Sequence, residues 1–218
     1  MSSVPQLPGI HRGVLEPDER RFALSIPSGY SGEDSVPLIL ALHWGGPTWP
    51  FIGESLLIDL VEPALKELGA IITAPDRTTD DWTNPQSETE ILRLIDFLKE
   101  NYPIDKNRTL VTGYSMGGIG AWYLVAKYQN EFTGIVPISA NPPLEVLETE
   151  WSTAVYAIHS KQDDLFPFEN TETVINELKA VTSSVHLSIV ENATHFETFK
   201  FIEPLREAVP WIRNLWKL

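Results

Sequence analysis

Cysteine is absent from the 218-residue sequence. Disulfide bonds, cysteine metal sites and a cysteine nucleophile are therefore excluded. No apolar run approaches the ~18 residues that a membrane-spanning helix needs. Residues 1–9 also lack the basic and apolar segments of a secretory signal. From these absences we expect no membrane insertion and a cytoplasmic location.

Basic residues are scarce. The chain has 16 Lys and Arg against 30 Asp and Glu, which gives a formal net charge of −14. An acidic chain repels phosphate backbones, so nucleic acid is not an expected partner. The sequence contains no H-E-x-x-H zinc motif, no P-loop and no G-x-G-x-x-G after an early strand. We therefore expect no cofactor and no metal.

The composition that remains is ordinary for a globular protein, with 43% hydrophobic and 21% charged residues. The length favours a single domain over residues 1–218. Apolar runs predict strands at Arg21–Ile26, Pro37–His43, Ala70–Thr73, Arg108–Thr112, Gly134–Ser139, Ala154–His159 and Val185–Val190. Helices are predicted at Glu54–Leu68, after a capping box at Ser87–Glu90, at Ser115–Tyr128 and after an N-cap at Asn170. This alternation predicts an α/β fold with a doubly wound, mostly parallel sheet and helices on both faces.

One short motif carries chemistry. Gly113-Tyr114-Ser115-Met116-Gly117 matches G-x-S-x-G, the nucleophile elbow, and it lies between a predicted strand and a predicted helix. The serine of such an elbow sits on a sharp turn that exposes its hydroxyl above the sheet. The helix that follows directs its N-terminus at the site and favours developing negative charge. Ser115 is therefore the predicted nucleophile.

A serine hydroxyl needs a general base, and the base needs an acid that orients it. In chains with this elbow the order is serine, acid, histidine. His195 follows the last predicted strand and is the predicted base, whereas His43 and His159 each end a strand in the wrong order and are expected to shape loops. Asp163 and Asp164 both follow a predicted strand, and spacing alone does not separate them.

Two backbone N–H groups should stabilise the oxyanion. One is expected from Met116, which follows the nucleophile, and the other from the loop after His43, where Gly45 is the first choice. Aromatic residues in loops are either an apolar wall for the substrate or ordinary packing. Trp44, Tyr114 and Trp82 are the candidate pocket residues.

Together these segments resemble the α/β-hydrolase superfamily, and within it the polyhydroxybutyrate-depolymerase-like and phospholipase/carboxylesterase-like esterases. The similarity covers most of the chain, including Pro37–His43, Ile104–Arg108, His159–Pro167 and Thr194–Phe196. In these relatives the acid follows His-Gly and two further residues, so the resemblance assigns the catalytic acid to Asp163. It also implies an α/β-hydrolase fold with a minimal lid or none.

Two positions depart from the family pattern. Trp44 stands where relatives have the glycine that follows the histidine, which should narrow the acyl pocket and puts the second oxyanion donor in question. Ser160 stands where relatives have the glycine before the acid, a mild change because serine tolerates turns.

The sequence thus predicts a serine hydrolase of small-molecule esters with short or medium acyl groups, acting as a monomer or homodimer. The alternatives are a thioesterase, amidase or peptidase of the same fold, because the triad chemistry is shared. A non-catalytic binding protein is the alternative from another class. A complete set of Ser115, Asp163 and His195 argues against it, since a binding module does not need all three.

Overall fold

A computed structural model of the protein describes residues 4–143, 145–182 and 184–218. Within these residues the strands are β1 (Gly9–Leu15), β2 (Arg20–Ile26), β3 (Val36–Leu42), β4 (Ile71–Pro75), β5 (Ile104–Tyr114), β6 (Gly134–Ile138), β7 (Ala154–Ser160) and β8 (Val185–Val190). The α-helices are α1 (Ile52–Leu56), α2 (Glu62–Leu65), α3 (Pro85–Asn101), α4 (Met116–Lys127), α5 (Glu145–Glu148), α6 (Phe168–Val181), α7 (Ile202–Arg206) and α8 (Val209–Trp216). A π-helical turn at Leu57–Val61 joins α1 to α2, and 3₁₀ turns lie at Lys66–Leu68, Gln129–Glu131 and Thr198–Phe201.

The strands form one sheet in the order β1-β2-β4-β3-β5-β6-β7-β8. Strand β2 pairs antiparallel with β1 and with β4, and all other neighbours pair parallel. The mostly parallel sheet predicted from the sequence is confirmed. Strand β1 was not predicted, because Gly9–Leu15 contains two glycines and a histidine and lacks a continuous apolar run.

Strand β3 shows why the sheet is covered on both faces. Its side chains alternate, as in any strand. Leu38, Leu40 and Leu42 pack into one hydrophobic cluster with α3, α4 and α6, whereas Ile39 and Ala41 pack into a second cluster with α1, α2, α7 and α8. A strand buried on both sides needs a continuous apolar run, which is what the sequence shows at this position.

Two helix starts differ from the sequence prediction. Asn84, not Ser87, caps α3: its side chain accepts hydrogen bonds from the N–H groups of Gln86 (3.1 Å) and Ser87 (3.0 Å). Pro85 follows at the first helical position, where it lacks only an N–H that would be unpaired anyway. Helix α6 likewise begins at Phe168, directly after Pro167, so Asn170 lies inside its first turn.

The topology brings four loops to one edge of the sheet. Strands β3, β5, β7 and β8 are parallel, so their carboxyl ends lie on the same side. The loops that follow them carry Trp44, Ser115, Asp163 and His195 respectively. The edge where these loops meet is where ligands bind in open α/β sheets.

Candidate active site

Ser115 lies in a strained turn between β5 and α4. Its backbone angles, φ 58° and ψ −124°, fall in a region that non-glycine residues rarely adopt. Its N–H donates to the carbonyl of Ile138 at 2.9 Å, which fixes the turn against β6. Side chains at Gly113 and Gly117 would collide with backbone: a Cβ on Gly113 would overlap the Gly117 carbonyl, and one on Gly117 would overlap that of Leu42. Both glycines of the motif are therefore needed for the turn to close.

The three residues of the predicted triad form one chain of contacts. Ser115 Oγ lies 2.8 Å from His195 Nε2. The other ring nitrogen, Nδ1, lies 3.0 and 3.1 Å from the two carboxylate oxygens of Asp163. The imidazole is 3% exposed, and the carboxylate has no exposed surface. Because Nδ1 faces a carboxylate, it carries the hydrogen and leaves Nε2 free to accept the serine proton.

Hydrogen bonding keeps the buried carboxylate of Asp163 ionised. Burial alone would raise its pKa, but hydrogen bonds from His159 and His195 and from the N–H groups of Phe166 and Leu165 lower the pKa well below its usual range. The two backbone donors reach Oδ1 at 2.8 and 3.0 Å. The carboxylate is therefore ionised beside the imidazole at neutral pH.

Asp164 also contacts the histidine, but at its backbone. Its Oδ1 accepts a hydrogen bond from the N–H of His195 at 2.9 Å, while the side chain of Asp163 faces the ring. The two neighbouring carboxylates that spacing could not separate thus have different partners. Asp164 is positioned to fix the main chain of the loop, and Asp163 to orient the imidazole.

Three further side chains hold the loop that carries His195. Ser160 Oγ donates to the carbonyl of Ala193 at 2.6 Å, which joins the end of β7 to this loop. Tyr114 is 2% exposed and donates its hydroxyl to the carbonyl of His195 at 2.6 Å; burial raises the pKa of this phenol to about 12. Glu197 accepts from the N–H of Thr194 at 2.9 Å. The serine at position 160 is therefore a structural donor, a role that sequence reasoning missed.

The opposite side of the site is the loop after β3. His43 Nδ1 lies 2.7 Å from the carbonyl of Trp44, and Nε2 accepts the N–H of Arg77 at 3.1 Å. Since Nε2 accepts, Nδ1 carries the hydrogen and donates. Burial lowers the pKa of His43 to about 4, so the ring is neutral near pH 7. Gly45 lies against the side chain of Met116, which an added Cβ would meet at 2.7 Å. The two predicted oxyanion donors thus belong to adjoining segments.

A cleft of about 480 Å³ opens above Ser115. Its walls are mostly apolar and comprise Trp44, Gly45, Gly46, Tyr114, Met116, Ile119, Leu165, Phe166, His195, Phe196 and Thr198. The rings of Phe166 and Phe196 lie edge-on to His195, with centroids 5.2 and 5.3 Å away. Phe196 is 76% exposed and Leu165 52% exposed. An apolar cleft with a few polar groups at one end is typical of a small-molecule site.

The remaining predicted pocket residue lies elsewhere. Trp82 is buried, its indole N–H donates to the carbonyl of His43 at 2.9 Å, and it is not among the residues lining the cleft. It supports the loop after β3 from below. Trp49 is half exposed and lines a separate cleft with Arg21 and Arg77. Of the candidate pocket residues, the structure brings Trp44 and Tyr114 to Ser115.

Neither a metal cluster nor a membrane span is found in the part of the chain that the structure describes. No group of three or more His, Cys, Asp or Glu side chains there could hold a metal ion. None of the helices in those ranges has the length and apolar character needed to cross a bilayer.

The sequence is similar to a known protein family and to several named esterases. The family model described as phospholipase/carboxylesterase matches residues 72–210. A protein of Aspergillus flavus named "Probable feruloyl esterase C" is 26% identical over 182 residues, which cover 79% of this chain and 66% of that protein. "Feruloyl esterase C" of Emericella nidulans is 25% identical over 173 residues, covering 78% of this chain and 64% of that protein. The chain thus spans just under two thirds of the length of these relatives.

Structural comparison finds the same architecture in solved proteins. A thermostable esterase superposes with a TM-score of 0.77 at 20% identity, over 94% of this chain and 62% of that one. A mutant of the feruloyl esterase module of Clostridium thermocellum, complexed with sinapinate, superposes with a TM-score of 0.76 at 16% identity, over 96% of this chain and 89% of that one. These likenesses confirm the fold class predicted from the sequence.

The buried neutral state of His43 predicts a pH-dependent stability. In the unfolded chain this histidine takes up a proton near its ordinary pKa of 6.5, whereas in the folded protein it does so only near 4. Its contribution is therefore complete above about pH 6.5 and is lost as the pH falls toward 4. The fall of about 2.5 pKa units corresponds to roughly 3 kcal/mol at about 1.4 kcal/mol per unit. Urea denaturation between pH 7 and pH 4.5 measures this loss.

The test compares two histidine variants. His43→Asn can still donate to Trp44 but does not titrate, so its free energy of unfolding should change less with pH in this window. His186→Gln is the matched control: the pKa of His186 is lowered too, but this residue is exposed on β8, so its removal should change the pH dependence less than removal of His43. Asp163 loses its contribution only below the ordinary aspartate pKa of about 3.9, outside the window. An unchanged slope in His43→Asn would contradict the assignment.

Proposed function

Because the chain belongs to the phospholipase/carboxylesterase family, we propose that it is a serine hydrolase of carboxylic esters that works through an acyl-enzyme on Ser115. The observation that carries this proposal is the continuous contact from Ser115 Oγ through His195 to the buried carboxylate of Asp163. That arrangement is the one by which a weak hydroxyl nucleophile is activated at neutral pH. The α/β-hydrolase fold provides the frame.

The proposed reaction follows from the positions of the polar atoms. Ser115 Oγ attacks the ester carbonyl carbon while His195 Nε2 takes the serine proton. The carbonyl oxygen becomes an oxyanion, which the N–H groups of Met116 and Gly45 are proposed to stabilise. When the C–O bond breaks, the imidazolium returns its proton to the leaving alcohol. Water then attacks the acyl-enzyme by the same route, and Asp163 keeps the ring oriented and stabilises its charge throughout.

The proposed acyl group is short or of medium length, and aromatic acyl groups are included. Two features support the aromatic class. The cleft wall contains Trp44, Phe166 and Phe196, and the curated relatives are named feruloyl esterases.

Thioesters, amides and peptides remain the alternative substrates predicted from the sequence. Esters are proposed over them because the relatives are named esterases. A small-molecule ester is the proposed partner, and the single domain, the monomer or homodimer and the cytoplasmic location stay predictions.

Labelling with a fluorophosphonate probe tests the proposal. An activated serine forms a covalent phosphonyl adduct, so mass spectrometry should find the adduct on the peptide containing Ser115. Ser115→Ala should remove the adduct and lower ester hydrolysis by several orders of magnitude, about 10⁴-fold or more, with the fold intact. His195→Ala should also suppress labelling.

The matched control for the base is His186→Ala, which removes an exposed histidine on β8 and should label like the wild type. A folded wild-type protein that takes up no label would instead favour the non-catalytic binding protein.

The two adjacent aspartates should behave differently. Asp163→Asn removes the carboxylate that orients the ring and should lower kcat by about 10⁴-fold, as expected when the imidazole loses its tautomer. Asp164→Asn keeps an oxygen that can accept from the N–H of His195 and should cost less than about tenfold, in line with one weakened hydrogen bond. Steady-state hydrolysis of a p-nitrophenyl ester compares them. Equal losses in the two variants would show that the acid is assigned wrongly.

The aromatic wall should influence the choice of acyl group. Trp44→Ala is expected to lower kcat/KM for the methyl ester of a hydroxycinnamic acid by about fivefold, since an aromatic contact contributes about 1 kcal/mol beyond its buried area. Hydrolysis of methyl butyrate should fall less. Trp49→Ala is the matched control, because Trp49 lines a different cleft and should leave both esters unchanged. A loss of the same size for both esters in Trp44→Ala would argue against an aromatic acyl site.

A further inference from the structure

A second histidine touches the carboxylate of Asp163. His159 lies near the end of β7, and its side chain is 1% exposed. Its Nε2 lies 3.3 Å from Oδ2 of Asp163 and 3.0 Å from the carbonyl oxygen of Phe166. The ring that contacts Ser115 Oγ is that of His195, not that of His159. His159 is nevertheless buried in direct contact with the carboxylate of Asp163, a contact that was not expected of a residue predicted only to shape a loop.

The partners of the carboxylate show why this contact matters. Oδ1 of Asp163 accepts the N–H groups of Leu165 and Phe166. Within the described residues, the recorded contacts of Oδ2 are with the two imidazoles, His195 at 3.0 Å and His159 at 3.3 Å. The side chain has no exposed surface, so solvent does not replace a lost donor. Without His159, Oδ2 would have His195 alone.

His159 also holds the turn that carries the acid. Its Nε2 contacts the carbonyl of Phe166, and the N–H of the same residue donates to Asp163 Oδ1. The ring of His159 therefore contacts both the side chain of Asp163 and the backbone of Phe166, which donates a hydrogen bond to that side chain. On its other edge, Nδ1 lies 2.8 Å from the hydroxyl of Thr171 in α6. Both neighbours of Nε2 are acceptors, so Nε2 carries a hydrogen and Nδ1 is an acceptor. The hydroxyl of Thr171 is closer to Nδ1, at 2.8 Å, than to its other acceptor, the carbonyl of Ala140, at 3.3 Å.

We propose that His159 is a positioning residue that acts through Asp163: its Nε2–H and the turn it holds keep the carboxylate in line with the ring of His195. This inference rests on the proposed function. The orientation of the Asp163 carboxylate should strongly affect the reaction rate, because a displacement of about 1 Å in catalytic groups can lower the rate about 10²-fold. The effect should therefore appear in the labelling rate of Ser115 in the folded protein, in addition to any loss of folding stability.

A pair of amide variants tests the proposal. The amide of His159→Gln reaches about as far as Nε2 and can still donate toward Asp163. The shorter amide of His159→Asn reaches toward Thr171 but not toward Asp163. The second-order rate of fluorophosphonate labelling at Ser115 should fall about 10- to 100-fold in His159→Asn and stay within about threefold of wild type in His159→Gln. Thermal unfolding gives the folded fraction to which each rate is normalised.

A double-mutant cycle separates positioning from a general structural effect. In the Asp163→Asn background the carboxylate is already gone, so adding His159→Asn should slow labelling by less than about twofold. A structural role would instead slow labelling by the same factor in both backgrounds. That result, or equal rates for the Gln and Asn variants, would overturn the proposal. His186→Asn, which replaces an exposed histidine stacked on Tyr156, is the matched control and should label at the wild-type rate.

The outcomes also distinguish this inference from the proposed function. If the wild type does not label at Ser115, the hydrolase proposal fails. If the wild type labels and both His159 variants label equally well, the hydrolase proposal stands and the positioning role is rejected.

Discussion

A carboxylate without exposed surface needs hydrogen-bond donors at both oxygens. The arrangement of the segments around His195 depends on the donors that reach the carboxylate of Asp163. Its donors come from three places: the turn after β7, the end of β7 and the loop after β8. Each donor group fixes one of these segments relative to the others. Ser160 strengthens the same junction by donating to Ala193. The charge that is proposed to orient His195 is thus also the group that assembles the loops around it.

The side of the site that carries the proposed oxyanion donors depends on a different constraint, the close approach of α4 to β3. Gly117 has no side chain, and any Cβ there would overlap the backbone of Leu42. This approach places the loop after β3 directly beside Ser115. Trp82 and the neutral ring of His43 then hold that loop from below through backbone contacts. Ser115, with its strained backbone, thus lies between two differently built segments. On one side the buried carboxylate of Asp163 is held by hydrogen bonds, and on the other side backbone segments pack closely.

The sequence predicted most of the sheet, because buried parallel strands are continuous apolar runs, and it predicted the elbow, because two glycines at fixed spacing are required for the turn. Other features depend on contacts between distant segments. Asp163 and Asp164 are adjacent, and only the path of the loop after β8 decides which one meets the ring and which the backbone. Trp82 was predicted to line the pocket, but its indole N–H donates to the carbonyl of His43. No sequence pattern predicts a hydrogen bond between these distant residues. The donor role of Ser160 likewise requires Ala193 to be nearby.

These contacts divide the site into a part that tolerates little change and a part that tolerates more. The side chains of His195, Asp163 and His159 are buried and paired, so a substitution among them leaves an unsatisfied group that costs about 1–3 kcal/mol. The mouth of the cleft is different: the side chains of Leu165 and Phe196 are exposed and apolar. Replacing them changes the shape offered to a substrate without uncovering a buried polar group. Substrate choice can therefore vary at the mouth while the arrangement of Ser115, His195 and Asp163 stays the same, which is why the acyl preference has to be measured separately from the triad.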